Sequence, residues 1–274
     1  MKPARVLLPV GFGLNCEEET AQAFRMVGAE VDLVHLTDLF ARRHARRMAD
    51  YQVVAMVGGF SYGDHVAGGL VLATRIRAHL KDDLAAFLSG GGRVLGICNG
   101  FQTLTRLGLL PGPEGGAPDF TPRATLTNNE RLGYRDAWVR VAPDPRSPCV
   151  WTMGLAAVDL PSRHGEGRFV AGSDEALRRL DANGQLPLRY VDAAGKCLLS
   201  CVVKDKQLDR LILPHVEKRV VDLLQHGDGD PVKRGHVKCN AGNLLFLFVI
   251  DQLVSHVISS FRVKAISLQR SAFS

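Results

Sequence analysis

The sequence predicts an α/β fold: a mostly parallel central sheet with helices on both faces, followed by a smaller antiparallel portion. Three observations carry this expectation. Short apolar runs alternate with segments of helical periodicity up to about residue 110, the pattern of a parallel sheet built from strand–helix–strand units. Two of those runs end in small residues, at Gly58-Gly59 and at Gly96-Ile97-Cys98, where the chain must turn sharply. Past residue 110 the texture changes to alternating strands separated by proline- and glycine-rich loops.

Taken in order, RVLLPVG (4–10 and the glycine after it) reads as a buried strand. CEEETAQAFRMVGAE follows as a helix, with Ala21, Phe24, Met26 and Val27 facing inward and acids in the first turn, where the helix dipole favours them. VDLVHL (31–36) is a second strand, and the basic RRHARR segment after it reads as solvated surface. YQVVAMVGGF (51–60) is a third strand, 67–89 a helix, and GGRVLGIC (91–98) a fourth strand. Ligands of such sheets bind beyond the carboxyl ends of the strands, where Gly58-Gly59 and Cys98 fall. Further on, DAWVRVAP and the stretch around GEGRFVAG read as strands. Residues 173–180 read as a short helix capped by Ser173, and QLPLRYVDAAGK as a strand and turn.

Composition narrows the class. The chain has 274 residues, 46% of them hydrophobic and 23% charged, as in ordinary globular proteins. The formal charge of +6 sits almost wholly in residues 231–274, which carry six Lys and Arg against Asp251. The body is therefore nearly neutral, which argues against a nucleic-acid-binding face. The longest uninterrupted apolar run, Leu244 to Ile250, is too short for a membrane span. No signal peptide is read at the N-terminus. Six cysteines lack CxxC spacing, so reduced thiols and a cytoplasmic location are expected, with no metal site.

GICNGFQ (96–102) places a cysteine between small residues where a strand stops and a helix starts. A nucleophile on such an elbow projects above the sheet in a strained backbone. The N-terminus of the following helix favours the thiolate, so the thiol of Cys98 is expected to titrate low. The N–H of Asn99 is placed to stabilise an oxyanion. On its own this motif also fits a buried structural cysteine.

Three strings in this order carry a resemblance: GGFSYGD (58–64), GICNGFQTLTRLGLLPG (96–112) and RHGEGRF (163–169). Together with TNNERLGYRDAWVRV (127–141) they resemble the glutamine amidotransferase subunits of phosphoribosylformylglycinamidine synthase. These are class I glutamine amidotransferases with a flavodoxin-like core. The similarity runs from about residue 4 to about 195. It implies a glutaminase of de novo purine biosynthesis with Cys98 as nucleophile and Gly59 and Asn99 as oxyanion donors. It places Gly58, Gly59, Phe60, Gln102, His164 and Gly165 at the glutamine pocket. It also implies an ATP-dependent synthetase partner that holds ATP and magnesium, with a small bridging subunit as a further expected partner; no cofactor is expected in this chain.

The family's general base lies in a His-x-Glu motif after the last core strand. Here DRLILPHVEKR (209–219) retains an apolar run ending in Pro214-His215, with Glu217 two residues later, although the Asn-Pro-Asn-Gly stretch before it is absent. The resemblance thus implies His215 as the base and Glu217 as its orienting carboxylate, with Leu211–Leu213 expected to join the sheet; a chance match in an unrelated tail is the other reading. The domain boundary is read at 226, with 227–274 an atypical tail. Two alternatives stand beside this: another flavodoxin-like cysteine hydrolase, and a pseudo-glutaminase impaired by its altered C-terminus.

Overall fold

The computed structural model describes residues 2–113, 117–129 and 133–197. His215, Glu217, Leu211–Leu213 and the tail from 227 lie outside the described residues. Among the described residues four parallel strands form the central sheet in the order β2-β1-β3-β4: β1 (Arg5–Val10), β2 (Glu30–His35), β3 (Val53–Met56) and β4 (Arg93–Gly96). Leu7, Leu8, Ala55 and Val57 are almost completely buried. This is the burial expected of strands covered on both faces.

The chain moves outward from β1 in both directions, to β2 on one side and to β3 and β4 on the other. The reversal between β1 and β3 opens a crevice beyond their carboxyl ends. There the loops after the two strands are zipped by backbone hydrogen bonds, Asn15 N to Gly58 O at 2.9 Å, Phe60 N to Gly13 O at 2.8 Å and Tyr62 N to Phe12 O at 2.7 Å.

The helices are α1 (Glu17–Met26), α2 (Leu36–Phe40), α3 (Leu70–Ser89), α4 (Asn99–Leu107) and α5 (Asp174–Ala182). In α3, Leu72, Ile76, Leu80 and Leu84 recur every fourth residue and are buried, with Phe87 completing the stripe. Helix α1 corrects the reading of its inward face. Thr20, Ala21, Ala23 and Phe24 are buried, but Met26 is 56% exposed. At 100° per residue Met26 lies nearly opposite Phe24, and Val27 is already the C-cap. In the basic segment, Arg46 is not merely solvated; it pairs with Asp32 at 2.5 Å, and Tyr51 donates to the same carboxylate at 2.8 Å.

The second portion contains two antiparallel sheets. Strands β5 (Ala124–Thr127) and β8 (Arg168–Ala171) form one. Strands β7 (Val158–His164), β6 (Arg135–Pro143) and β9 (Leu188–Tyr190) form the other, with β6 in the middle. Helix α5 has the expected cap, Ser173 Oγ accepting from Ala176 N at 3.1 Å. Asp144, Arg146, Asp181 and Arg189 form a charge network between β6, α5 and β9. The Asp144 side chain, 3% exposed, accepts from Arg146 at 2.8 Å and from Arg189 at 2.8 Å. Those guanidinium hydrogen bonds, Arg146 foremost, hold its carboxyl well below the usual range.

Helix α4 joins the two portions. Leu104 and Leu107 pack into the core of the parallel sheet, while Phe101 packs with Leu126, Phe169, Leu177, Leu180 and Leu186. The helix is therefore buried on nearly all sides. Its threonines are satisfied within it, Thr103 Oγ1 donating to Asn99 O at 2.9 Å and Thr105 Oγ1 to Phe101 O at 3.0 Å. Gly100 lets the first turn lie against β3, since a Cβ there would come within 2.0 Å of Met56 O.

Candidate active site

Cys98 stands between β4 and α4 with φ 50° and ψ −113°, a conformation that costs a non-glycine residue on the order of 1–3 kcal/mol. What holds it is the helix it starts: Phe101 N and Gln102 N both donate to Cys98 O, at 3.0 and 3.1 Å. The side chain is thereby turned toward the loop after β3. Two backbone N–H groups, of Asn99 and of Gly59, are directed at the sulfur. They come from different elements, the first turn of α4 and the end of β3. Both are preorganised donors of the kind that stabilise an oxyanion.

The expected low titration of this thiol is corrected. Burial pushes it up, more than the N–H groups of Asn99 and Gly59 pull it down, and the nearby Asp64 carboxylate adds to the rise. The helix N-terminus is present as expected, but desolvation outweighs it. Cys98 therefore rests as a thiol and needs a base to become nucleophilic.

Gly59 is fixed by its surroundings. Its φ is +136°, and a Cβ would lie 2.5 Å from Gly13 O and 2.7 Å from both Asn15 N and Leu14 Cα. All three are backbone atoms with nowhere to go. Gly59→Val is thus expected to lose on the order of 2–4 kcal/mol of stability as well as about 10²–10³-fold in turnover. Thermal unfolding alongside glutamine hydrolysis checks both. A melting temperature equal to that of the parent would show that the loop can move aside.

A buried polar network sets the pocket behind the sulfur. Asn99 is fully buried; its Oδ1 accepts from Ser61 N at 3.2 Å, and its Nδ2 donates to Asp64 Oδ1 at 2.8 Å and Gln102 Oε1 at 2.9 Å. Gln102 Nε2 in turn donates to Glu166 O at 3.0 Å, and Gly68 N donates to Glu166 Oε2 at 3.0 Å. The carboxamide of Gln102 is thus spent on the protein itself, tying α4 to the turn after β7. Arg106 stands 3.7 Å from the Glu166 carboxylate.

His164 ends β7, and Gly165 follows in the same turn. Asn129 holds this turn twice, Nδ2 donating to His164 O at 2.8 Å and its backbone N to Gly165 O at 3.0 Å. Gly58 approaches Cys98 so closely that a Cβ would stand 3.3 Å from the cysteine Cβ. Phe60 is at the rim, 62% exposed. Phe12 and Tyr62 stack beside it at 4.9 Å. The network thus joins the loops bearing Gly58, Gly59, Phe60, Asn99, Gln102, His164 and Gly165. Three further residues were not singled out in the sequence: Asp64, Glu166 and Tyr134, whose hydroxyl is pushed up by burial and then by the charge of Cys98. Asp64 and Glu166 stood inside the quoted strings, without a spacing that marked them.

The CobB/CobQ-like glutamine amidotransferase domain family matches residues 3–200. The PurQ subunit of phosphoribosylformylglycinamidine synthase from Methanococcus maripaludis strain S2 is 41% identical over 192 residues, covering 70% of this chain and 68% of that protein. The chain belongs to the PurQ family of glutamine amidotransferases. The PurQ subunit of Dehalococcoides mccartyi is 39% identical, covering 67% of this chain and 68% of that protein. That of Nitrobacter winogradskyi is 33% identical over 254 residues, covering 84% of this chain and 94% of that protein. A chain of the PurLQS structure from Thermotoga maritima matches with a TM-score of 0.51 at 27% identity, covering 70% of this chain and 76% of that one. The flavodoxin-like class I amidotransferase fold expected from the sequence is thereby borne out.

Proposed function

We propose that this chain is the glutaminase subunit of a phosphoribosylformylglycinamidine synthase. It hydrolyses glutamine through a cysteine thioester and delivers ammonia to a synthetase that makes formylglycinamidine ribonucleotide in purine biosynthesis. The observation that carries the reading is the pair of N–H groups, from Gly59 and Asn99, directed at Cys98 on the strained elbow.

In this reading the Cys98 thiol gives its proton to a base and the sulfur attacks the side-chain amide carbon of glutamine. The carbonyl oxygen becomes an oxyanion and turns into the space between the two N–H groups. The tetrahedral intermediate collapses as the amide nitrogen takes the proton and leaves as ammonia. Water then opens the thioester by the same route in reverse order, releasing glutamate and the thiol. Gly58 and Phe60 line one wall of the glutamine pocket and His164 and Gly165 the other, with Gln102 holding the second wall in place. The synthetase holds ATP and magnesium.

The base in this reading is His215, oriented by Glu217. One feature that supports it is the far side of β4. Among the described residues this strand has a strand neighbour on one side only. Beyond its other edge lies an apolar cavity of about 270 Å³ walled by Val94, Leu95, Gly96, Phe101, Leu110 and Trp151. Trp151 Nε1 caps one edge carbonyl, Val94 O, at 2.8 Å. An added strand from Leu211–Leu213 would fill such a slot with apolar side chains. A parallel strand there would end at Pro214-His215 on the same side of the sheet as Cys98. The match to the Nitrobacter protein, which covers 84% of this chain, also reaches beyond residue 200.

The test is glutamate release from glutamine by the full chain, alone and with the purified synthetase, ATP and formylglycinamide ribonucleotide. Glutamine hydrolysis coupled to amidine formation is expected. A chain that releases no glutamate in the assembled system, or that acts on peptides instead, would overturn the reading.

A further inference from the structure

Residues 59–69, the loop after β3, contain the positive-φ residues Gly59, Tyr62, Gly63, Asp64, Val66 and Gly69. A loop so bent does not hold itself; it needs ties to the elements beneath it. Asp64 supplies the tie to α4. Its Oδ1 accepts from Asn99 Nδ2 at 2.8 Å and from Gly69 N at 3.3 Å. Asn99 has no other freedom, since Ser61 N and Gln102 Oε1 take up its remaining polar groups. The backbone N–H of the same Asn99 is one of the two directed at Sγ. The position of that donor is therefore coupled to the Asp64 carboxylate.

The charge of Asp64 is the second half of the argument. Glu166, on the turn after β7, is a neighbouring anion, but it has Arg106 at 3.7 Å. Among the described residues the charged group that acts on Asp64 is Glu166 itself, another anion. Among the described residues the charged group that bears on the Cys98 thiol is Asp64, from the loop after β3, and it is an anion.

We propose that Asp64 is a positioning residue that fixes Asn99 and, by its negative charge in the same pocket, opposes formation of the Cys98 thiolate. The inference rests on the reading of Cys98 as the nucleophile and adds a restraint on it. A carboxylate beside the sulfur opposes thiolate formation. Buried hydrogen bonds from N–H groups keep that carboxylate from moving away. Glutamine is thereby spared until a cation, such as an imidazolium formed in the same pocket, offsets the charge.

The experiment compares the parent chain with Asp64→Asn and Asp64→Gly. Asparagine keeps an oxygen acceptor for Asn99 and Gly69 but removes the charge. Glycine suits the φ of 50° at this position and removes both. Alkylation of Cys98 by iodoacetamide is followed against pH by mass spectrometry of the Cys98 peptide, without glutamine. Both variants are expected to shift the profile down by about half a pH unit or more, roughly threefold more thiolate below the midpoint. A profile superimposed on that of the parent overturns the charge restraint. Glutamine turnover separates the positioning role. The kcat of Asp64→Asn is expected to exceed that of Asp64→Gly about tenfold, because the asparagine oxygen still holds Asn99, whose N–H is the oxyanion donor. Equal values overturn it. Where Asp64→Asn does not fold, Asp64→Gly alone gives the charge reading. Since alkylation needs no glutamine, a failed shift is distinguishable from a chain that is not a glutaminase.

Discussion

Replacing Cys98 with alanine is expected to remove glutamine hydrolysis, with kcat lowered by about 10⁴–10⁶-fold, as for loss of the nucleophile in other covalent hydrolases. The fold should persist. Alanine keeps the Cβ that already sits 3.3 Å from the site of a Gly58 Cβ, and it inherits the same φ of 50°. The hydrogen bonds that hold the elbow run to Cys98 O, not to the sulfur. Removing a partly buried thiol sulfur costs about 1 kcal/mol. The two measurements are glutamate release and thermal unfolding of the same preparation. Synthesis supported by added ammonia should survive in the assembled synthase, because the proposed function gives the ATP-dependent step to the partner. Near-normal glutaminase activity in Cys98→Ala would make this cysteine a structural one. The oxyanion donors would then serve some other group in the pocket.

The contrast between what the residues announced and what they concealed follows the range of the forces involved. β1 to β4 stand within a few residues of where the apolar runs put them, and the central β1 and β3 are the ones buried along most of their length, as strands covered on both faces are. Ser173 announced α5 through a local hydrogen bond to Ala176. The elbow at Cys98 was legible because small residues there answer a local steric demand. The hidden features depend on contacts distant in sequence. β5 (ATLT) and β7 (VDLPSRH) are half-buried, and Pro161 interrupts the pattern of β7. Met26 was placed inward by hydrophobicity alone, against its angular position. The thiol of Cys98 was expected to titrate low because the helix after it is local. The loop that brings Asp64 into its pocket is distant in sequence, 35 residues separating Asp64 from Asn99 across their hydrogen bond. Gln102 is three residues from Asn99 in sequence, but Glu166 O, its second partner, is 64 residues away. The pairing that decides its role is invisible in a linear reading.

The raised thiol leads to the second large effect. A sulfur that rests protonated at neutral pH must hand its proton to a group within reach, about 3–4 Å away or brought there by a small closure. Among the described residues the charged group acting on it is Asp64, an anion that opposes the thiolate. His215 is suited by chemistry, since an imidazole titrates near the working pH and Glu217 behind it would fix the tautomer. His215→Ala is accordingly expected to lower kcat for glutamine by about 10³–10⁵-fold, with a much smaller change in KM, because the imidazole acts on the thiol rather than on the bound amino acid. Glu217→Gln should lose less, about 10–10³-fold, through a misoriented ring. The pH–rate profile is the finer readout: the limb belonging to the base should disappear in His215→Ala and remain in Glu217→Gln. In the proposed reading Leu211–Leu213 would pair with β4, so Ile212→Pro, which would remove one ladder N–H, offers a control on delivery. It should reduce kcat through the same step without touching the imidazole. If His215→Ala and Ile212→Pro both turn over glutamine at the parent rate, the cavity beside β4 has another occupant and the proton of Cys98 leaves by another route.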